Sequence, residues 1–561
     1  MRIARVGVLL ETEAAQMLWD RGENVFQRYV GEILDHIGAP FEWVYTADEN
    51  QLLKYDCVIV AACDEAGDKI KGLKAFMKNG GTLVSFSGLN FLAHEFGMTT
   101  DALIEKGYAH VEGEGTTEVP LRFFNSVPWI GERAVVTSGK VTAGNESSPL
   151  YQSFSYEKGK LCRWAVDIPY TIVTLQQGGN PVTKDGVPAL DGTANLDEGI
   201  LKADDEFALD WELDRVKSPT GISYFPHPYA DLWKEVFFSQ LVKELLHEGS
   251  TLPFKGYWPE HIDQVAMISF DSDTNNDQSA YTTLDLVKQT DVRATWCIIE
   301  PGYSPEIYPE LMDAGQEIAL HYNALEKENG VWSEEEFKRQ ADWLKKATGK
   351  TTVISNKNHY TRFEGWGEFF KWCEENGIQS DESRGPSKKG NIGMLFGTCH
   401  PYFPISWHDE ENRNYDVLEI GFLTQDLNHH SLADTSVIKP FLAAVKQVNG
   451  VGHFLFHQIH LYTQPAVREA FVELIETARS EGFTFWTGCE INGWERERRT
   501  VKITGLSNTL TPIIEGPKPS QDLVYYIPVQ DGSAINGTYK FGLQCVKTTN
   551  VVPRNEALME G

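Results

Sequence analysis

The stretch Val265–Asp277, VAMISFDSDTNND, constrains this chain more than any other. Val265, Ala266, Met267, Ile268 and Phe270 make an apolar run of strand length that stops at Asp271, Ser272 and Asp273. A buried strand ending in two carboxylates one residue apart puts charge at the rim of a core. An unpaired buried carboxylate is costly, so such a pair is hydrogen-bonded, metal-bound or catalytic. In barrels of parallel strands the chemistry gathers at the C-terminal strand ends. Taken alone, the pair reads equally well as an aspartate turn that caps the next helix.

The residues downstream weigh against a mere turn. ATWCIIEPGY is a second strand, preceded by a helix over Tyr281–Gln289. A helix over Pro305–Ala314 leads to GQEIALHYN, a strand ending in His321. The helix Ser333–Thr348 opens on a capping box, Ser333 with Glu336, and closes on Gly349. TTVISNKNHY is a strand leading to His359 and Tyr360, and VGHFLFHQIHLY is a late strand with His453, His457 and His460. On its alternation His453 and His457 share a face and His460 turns outward. Repeating strand–helix units of about twenty-five to thirty residues imply a barrel of parallel strands.

The flanking segments differ. Residues 5–90 alternate strands (RVGVLLE, FEWVYTA, YDCVIVAA, GGTLVSFSG) with helices, the pattern of a doubly wound parallel sheet. Cys63 ends a strand there, but no nucleophile elbow surrounds it and no phosphate loop follows the first strand. Residues 100–228 read as short strands and long loops, Ala230–Leu246 as a helix, and TLPFKGYWPE as a connector. From Thr500 onward short strands and turns suggest a small β-sandwich.

Composition bounds the partners. Lys+Arg 50 against Asp+Glu 80 leaves a net charge of −30. That excludes nucleic acid and anionic membrane as expected partners, since both need positive surface. The eight cysteines contain no CxxC pair, which excludes a cysteine zinc site of that kind. The N-terminus reads as a first strand, and no apolar run reaches the roughly 20 residues of a membrane helix. The expected location is cytoplasmic, with a homo-oligomer left open.

Together these segments resemble the polysaccharide deacetylase family, carbohydrate esterase family 4 and its relatives. The family opens on a strand ending in TFDDG or a variant such as SFDVD; here it is SFDSD, Ser269–Asp273. Its KATFF is RATWC at Arg293–Cys297, and its GHEIGNH is GQEIALH at Gly315–His321. Its LEEATGK is LKKATGK at Leu344–Lys350, and its late LxLH is FLFH at Phe454–His457. The resemblance runs from Gly256 to Arg499. The N-terminal alternation resembles the flavodoxin-like sheet of class I glutamine amidotransferases.

The expected fold class is therefore α/β: an N-terminal flavodoxin-like parallel sheet with a β-rich insertion (1–250), a central distorted (β/α)7-type barrel (256–499) and a small C-terminal β-sandwich (500–561). The resemblance implies metal-assisted deacetylation of a carbohydrate or carbohydrate-like substrate, the metal usually zinc. It makes Asp271 the base, His457 the acid, and Asp273 and His321 metal ligands. The family's second metal histidine falls at Leu325, so one ligand is missing. His359, at the end of the next strand, is the available replacement; a base-orienting or solvent-facing role is the alternative. Asn323, Tyr360 and Arg362 are expected to line the cleft. His400, His429 and His430 are weaker candidates, and Trp296, Trp332, Trp366 and Trp407 belong to core packing ahead of sugar stacking. Two other functions stay open: a glycoside hydrolase on a related barrel, and a carbohydrate-binding protein with a degenerate barrel.

Overall fold

Runs of buried β-branched and aromatic residues set the strands of two large sheets, and a continuous apolar core joins them. The computed structural model describes residues 1–64, 67–112, 118–131, 136–144, 146–194, 199–429, 432–530, 532 and 537–554. In the N-terminal sheet, strands Glu42–Val44, Val6–Leu10, Cys57–Ala62, Thr82–Phe86 and Gly159–Trp164 lie side by side in that order, all parallel. Numbered along the chain, this is the order 2-1-3-4-5 of one common doubly wound sheet. Four more strands continue it antiparallel: Glu146–Tyr156, Val136–Ala143, Ile104–His110 and Leu121–Ser126. The sheet is thus mixed.

The central sheet positions the site. Its strands are β1 (Gln264–Asp271), β2 (Thr295–Ile298), β3 (Glu317–Tyr322), β4 (Ser355–Asn358), β5 (Ser380–Asp381), β6 (Leu418–Glu419), β7 (Thr424–Gln425), β8 (Val451–His457) and β9 (Phe483–Phe485). They run in the order β6-β5-β4-β3-β2-β1-β8-β7, with β9 on the first residues of β1, and every pairing is parallel. The two edge strands, β6 and β7, are consecutive in sequence, and only residues 420–423 join them. The sheet therefore curls until its edges are joined by the chain itself rather than by strand–strand pairing. This is a curled parallel sheet, compatible with the expected distorted barrel.

Three local expectations need correction. TLPFKGYWPE is not a free connector: Phe254–Pro259 is a strand, antiparallel to Leu523–Pro528 of the tail. His460 is not on the late strand, which ends at His457; it lies on the following helix, Gln458–Thr463. The capping box is only half formed. Ser333 Oγ accepts from the Glu336 N–H at 3.2 Å, but the Ser333 N–H donates to Tyr322 Oη, leaving Glu336 to bind Arg339 and Gln340.

The tail strands fall into two sheets. One contains Phe254–Pro259, Leu523–Pro528, Leu543–Thr548 and Thr538–Lys540; the other contains Lys502–Leu506, Pro512–Glu515 and Val552–Pro553. Between the N-terminal sheet and the curled sheet, residues 178–194 and 199–225 reach the rim of the curled sheet. They form isolated bridges Val182–Gly365, Lys202–Arg362 and Phe225–Gly393. Asp204 accepts from Ser387, Lys388 and Asn391.

A buried charge network pins the helix Tyr229–His247 to the barrel. Asp231 takes the Lys234 ammonium at 3.0 Å, the Thr398 hydroxyl at 2.7 Å and the Cys399 N–H at 2.8 Å. Burial alone would raise this carboxyl; His400, Lys234 and the two hydrogen bonds outweigh it and hold it at about 2. Burial pushes His400 down to about 4, so at neutral pH Lys234 supplies the charge. Breaking a buried pair by removing one partner costs about 3–5 kcal/mol, so Asp231→Ala is expected to lower the urea midpoint by a corresponding amount. Because the folded carboxyl is depressed, this stabilisation is complete above the ordinary value of 3.8 and is lost as pH falls through about 2. A wild-type and variant difference that stayed constant down to that pH would show that Asp231 acts through packing alone.

Candidate metal and acid–base site

Parallel pairing brings the chemistry to one end of the curled sheet. Asp271 ends β1 and lies in register with His457, which ends β8. His321 on β3 lies in register with Lys357 on β4, and His359 follows two residues beyond Lys357. Asp273 lies two residues past Asp271 on the turn before the next helix.

Three donor atoms converge there. His321 Nε2 is 3.3 Å from Asp273 Oδ1, His359 Nδ1 is 3.4 Å from the same oxygen, and the two ring nitrogens are 3.1 Å apart. Asp273 Oδ1 is buried with no hydrogen-bond partner. The donor set, two imidazoles and a carboxylate, is that of a catalytic zinc site with one position open. A tetrahedral ion with bonds of roughly 2.0–2.1 Å sets its ligand atoms about 3.3 Å apart, close to the triangle observed. The residues therefore fit a small divalent metal.

The far nitrogen of each imidazole is also occupied. His321 Nδ1 donates to the Lys357 carbonyl at 2.9 Å, which leaves Nε2 as the lone-pair atom. His359 Nε2 faces Glu328 Oε2 at 3.4 Å. Such outer contacts fix the tautomer and orientation of a ligating histidine. The His321 and His359 side chains are buried, the Asp273 side chain 28% exposed.

Asp271 and His457 flank the triangle. Asp271 Oδ2 is 3.8 Å from His321 Nε2, while its Oδ1 is buried without a hydrogen-bond partner, 3.9 Å from the Lys357 ammonium. Lys357 is wholly buried, bonded to Ser269 Oγ at 3.0 Å and seated over the Phe422 ring. Ser269 also meets His453 Nε2 at 2.8 Å. His453 belongs to this interior network, and burial holds it well below the usual imidazole range.

His457 Nε2 is 3.4 Å from Asp273 Oδ2, and its Nδ1 is 2.5 Å from Asp426 Oδ2. Burial opposes the imidazolium, but the carboxylates of Asp426 and Asp273 outweigh it and raise His457 to about 10. Asp426 in turn lies well below the carboxylate range: burial would raise it, and His457 and His460 more than offset that. His460 Nδ1 is 2.9 Å from the same Asp426 oxygen and its ring stacks on His429 at 3.6 Å. His460 thus turns toward the site from its helix, contrary to the alternation expected of a strand.

The remaining candidates divide. Tyr360 presents a 43% exposed ring against His359, with ring centroids 4.7 Å apart. Tyr360 and Thr361 have φ of 58° and 53°, left-handed values that cost of order 1–3 kcal/mol each in non-glycine residues. Asn323 bonds to the Leu325 N–H and to Glu328, and Arg362 to Glu364 and the Ala324 carbonyl, so both brace the neighbouring turn. Leu325 is buried in the core. His400 is away from this cluster, packed on His36 and bonded to the Val448 carbonyl, and His430 lies outside the described residues. The four tryptophans pack: Trp296 on Phe270, Trp332 on Phe369, and Trp366 and Trp407 on each other and on Phe26.

Asp426, Glu328 and Lys357 are site residues that the sequence reading did not select. Asp426 follows a two-residue strand, too short to show a period. Lys357 lies in SNKN, a buried strand with no apolar residue.

No protein-family model matches the chain, and no curated protein sequence matches it. Solved structures similar to part of it include three of interest. One is a protein assigned as a polysaccharide deacetylase from Mycobacterium smegmatis (16% identity, 43% of this chain, 92% of that one, TM-score 0.33). Another is a family 4 carbohydrate esterase from Bacillus anthracis (13%, 46% and 92%, 0.25). The third is Puue allantoinase (14%, 45% and 95%, 0.33). The similarity is partial and distant. Among the described residues, no helix is long and apolar enough to cross a membrane.

Proposed function

We propose that the protein is a metal-dependent hydrolase that removes an acetyl or other N-acyl group from a carbohydrate or carbohydrate-like substrate. The observation that carries this reading is the triangle of Asp273 Oδ1, His321 Nε2 and His359 Nδ1, with a carboxylate and an imidazolium beside it. The three residues would hold a divalent metal, zinc being the ion their chemistry suits. When bound, such an ion supplies Lewis-acid charge that acidifies water and polarises a carbonyl.

The chain's own residues supply the proton transfers. Asp271 is the general base that accepts the proton of the attacking water. Its other oxygen faces the Lys357 ammonium at 3.9 Å. His457, protonated through Asp426, is the general acid that gives a proton to the leaving nitrogen. Tyr360, 43% exposed beside His359, carries the Lys327 ammonium over its ring and borders the cleft. A glycosidase needs two carboxyl groups on opposite sides of the scissile bond, whereas Asp271 and Asp273 come from one strand end and the other site carboxylates, Asp426 and Glu328, face His457 and His359. A binding-only barrel has no use for a base, an acid and three convergent donors.

The test is acetate release from N-acetylated and O-acetylated sugars by full-length protein, before and after removal of metal by a chelator. The expected result is release that stops on chelation and returns with zinc. Release that persists in metal-free protein would overturn the metal-dependent reading.

A further inference from the structure

The turn Glu326–Glu328 occupies the sequence region where the second metal histidine of the resembling family is absent, and it lies against the replacement. Two consecutive residues of this turn meet two consecutive residues of the facing one. Lys327 Nζ sits 4.6 Å from the Tyr360 ring centroid, and Glu328 Oε2 sits 3.4 Å from His359 Nε2. The turn is itself braced. Asn323 Nδ2 donates to Glu328 Oε2 at 3.1 Å, and Asn323 Oδ1 accepts from the Leu325 N–H at 3.0 Å. The Gly330 N–H closes the turn on the Leu325 carbonyl at 2.8 Å. Opposite it, His359 begins a turn whose next two residues are left-handed, a backbone that neighbouring contacts must hold.

The geometry points to Glu326–Glu328 as a clasp that positions His359 as a metal ligand, with Glu328 as the positioning residue. This rests on the site proposed above. A histidine can ligate through Nδ1 only if its remaining proton sits on Nε2. A carboxylate facing Nε2 favours that tautomer and orients the ring. His321 needs no such help, because the Lys357 carbonyl already holds its Nδ1 proton. The chain thus compensates twice for Leu325: a histidine from the next strand end takes the ligand's place, and the turn after Leu325 supplies the carboxylate that aims it.

The experiment measures zinc affinity of full-length, metal-stripped protein by competition with a chromogenic chelator. It compares wild type with E328A, E328Q, K327A and H321A and records the thermal midpoint of each apo protein. Loss of an outer-shell partner weakens metal binding by about 10–100-fold, and E328A is expected to fall in that range with its apo midpoint unchanged. E328Q, which keeps an acceptor without the charge, is expected between E328A and wild type, and K327A to weaken zinc less than E328A. Zinc binding lost in H321A but intact in E328A and E328Q would overturn the clasp while leaving the site standing. A wild type that takes up no zinc would overturn both.

Discussion

Asp271→Asn is expected to cut acyl release by about 10²–10⁴-fold, the usual contribution of a general base, while zinc uptake stays at the wild-type level. The substitution preserves the size and shape of the side chain and removes its negative charge and its capacity to take a proton. Asp271 is separable from the ligands because its Oδ2 is 3.8 Å from His321 Nε2, beyond the 3.1–3.4 Å triangle of the three donors. Its other oxygen faces Lys357, so the loss should appear in kcat with little change in KM. Activity near the wild-type level in Asp271→Asn would remove Asp271 from the base role. Near-wild-type activity accompanied by loss of zinc would remove both assignments.

Much of this site is legible in the sequence because strand ends mark themselves. An apolar run that stops at a carboxylate or an imidazole fixes both the strand and the rim, as in MISFD, EIALH and FLFH. Parallel pairing then does the rest: Asp271 meets His457 in register, and His321 meets Lys357. What the sequence hides follows from two physical causes. First, the buried polar interior breaks the equation of burial with apolarity. β4 reads SNKN, and Lys357 is buried only because Ser269, Asp271 and Phe422 receive it. Second, contacts between loops have no period. Asp426 reaches His457 from a two-residue strand, and Glu328 reaches His359 from a three-residue turn. His460 departs from the strand pattern because the residues after His457 turn into a helix.

The long-range architecture was less legible still. Strand Phe254–Pro259 joins the tail sheet across the whole length of the barrel region, and residues 178–194 and 199–225 bridge to the rim of the curled sheet. Composition marks such segments as loops or connectors without saying what they will pair with. The mixed N-terminal sheet has the same origin: the helix–strand alternation of residues 5–90 predicts four of the five parallel strands, whereas the antiparallel part is built from strands whose partners lie nearby but whose register no local pattern sets.

The second large effect concerns His359, the proposed replacement for the missing ligand. Three protein ligands leave one position for water in a catalytic zinc site, and two ligands leave a site that holds the ion weakly. Removing the His359 ring also leaves Glu328 with Asn323 alone and takes the imidazole from beside the left-handed Tyr360. The direct measurement is metal content by elemental analysis after equilibration with zinc and gel filtration, for wild type and His359→Ala side by side. The account predicts about one zinc per wild-type chain and only traces in the variant, with Asp273→Ala and His321→Ala behaving alike. Equal zinc in wild type and His359→Ala would contradict it.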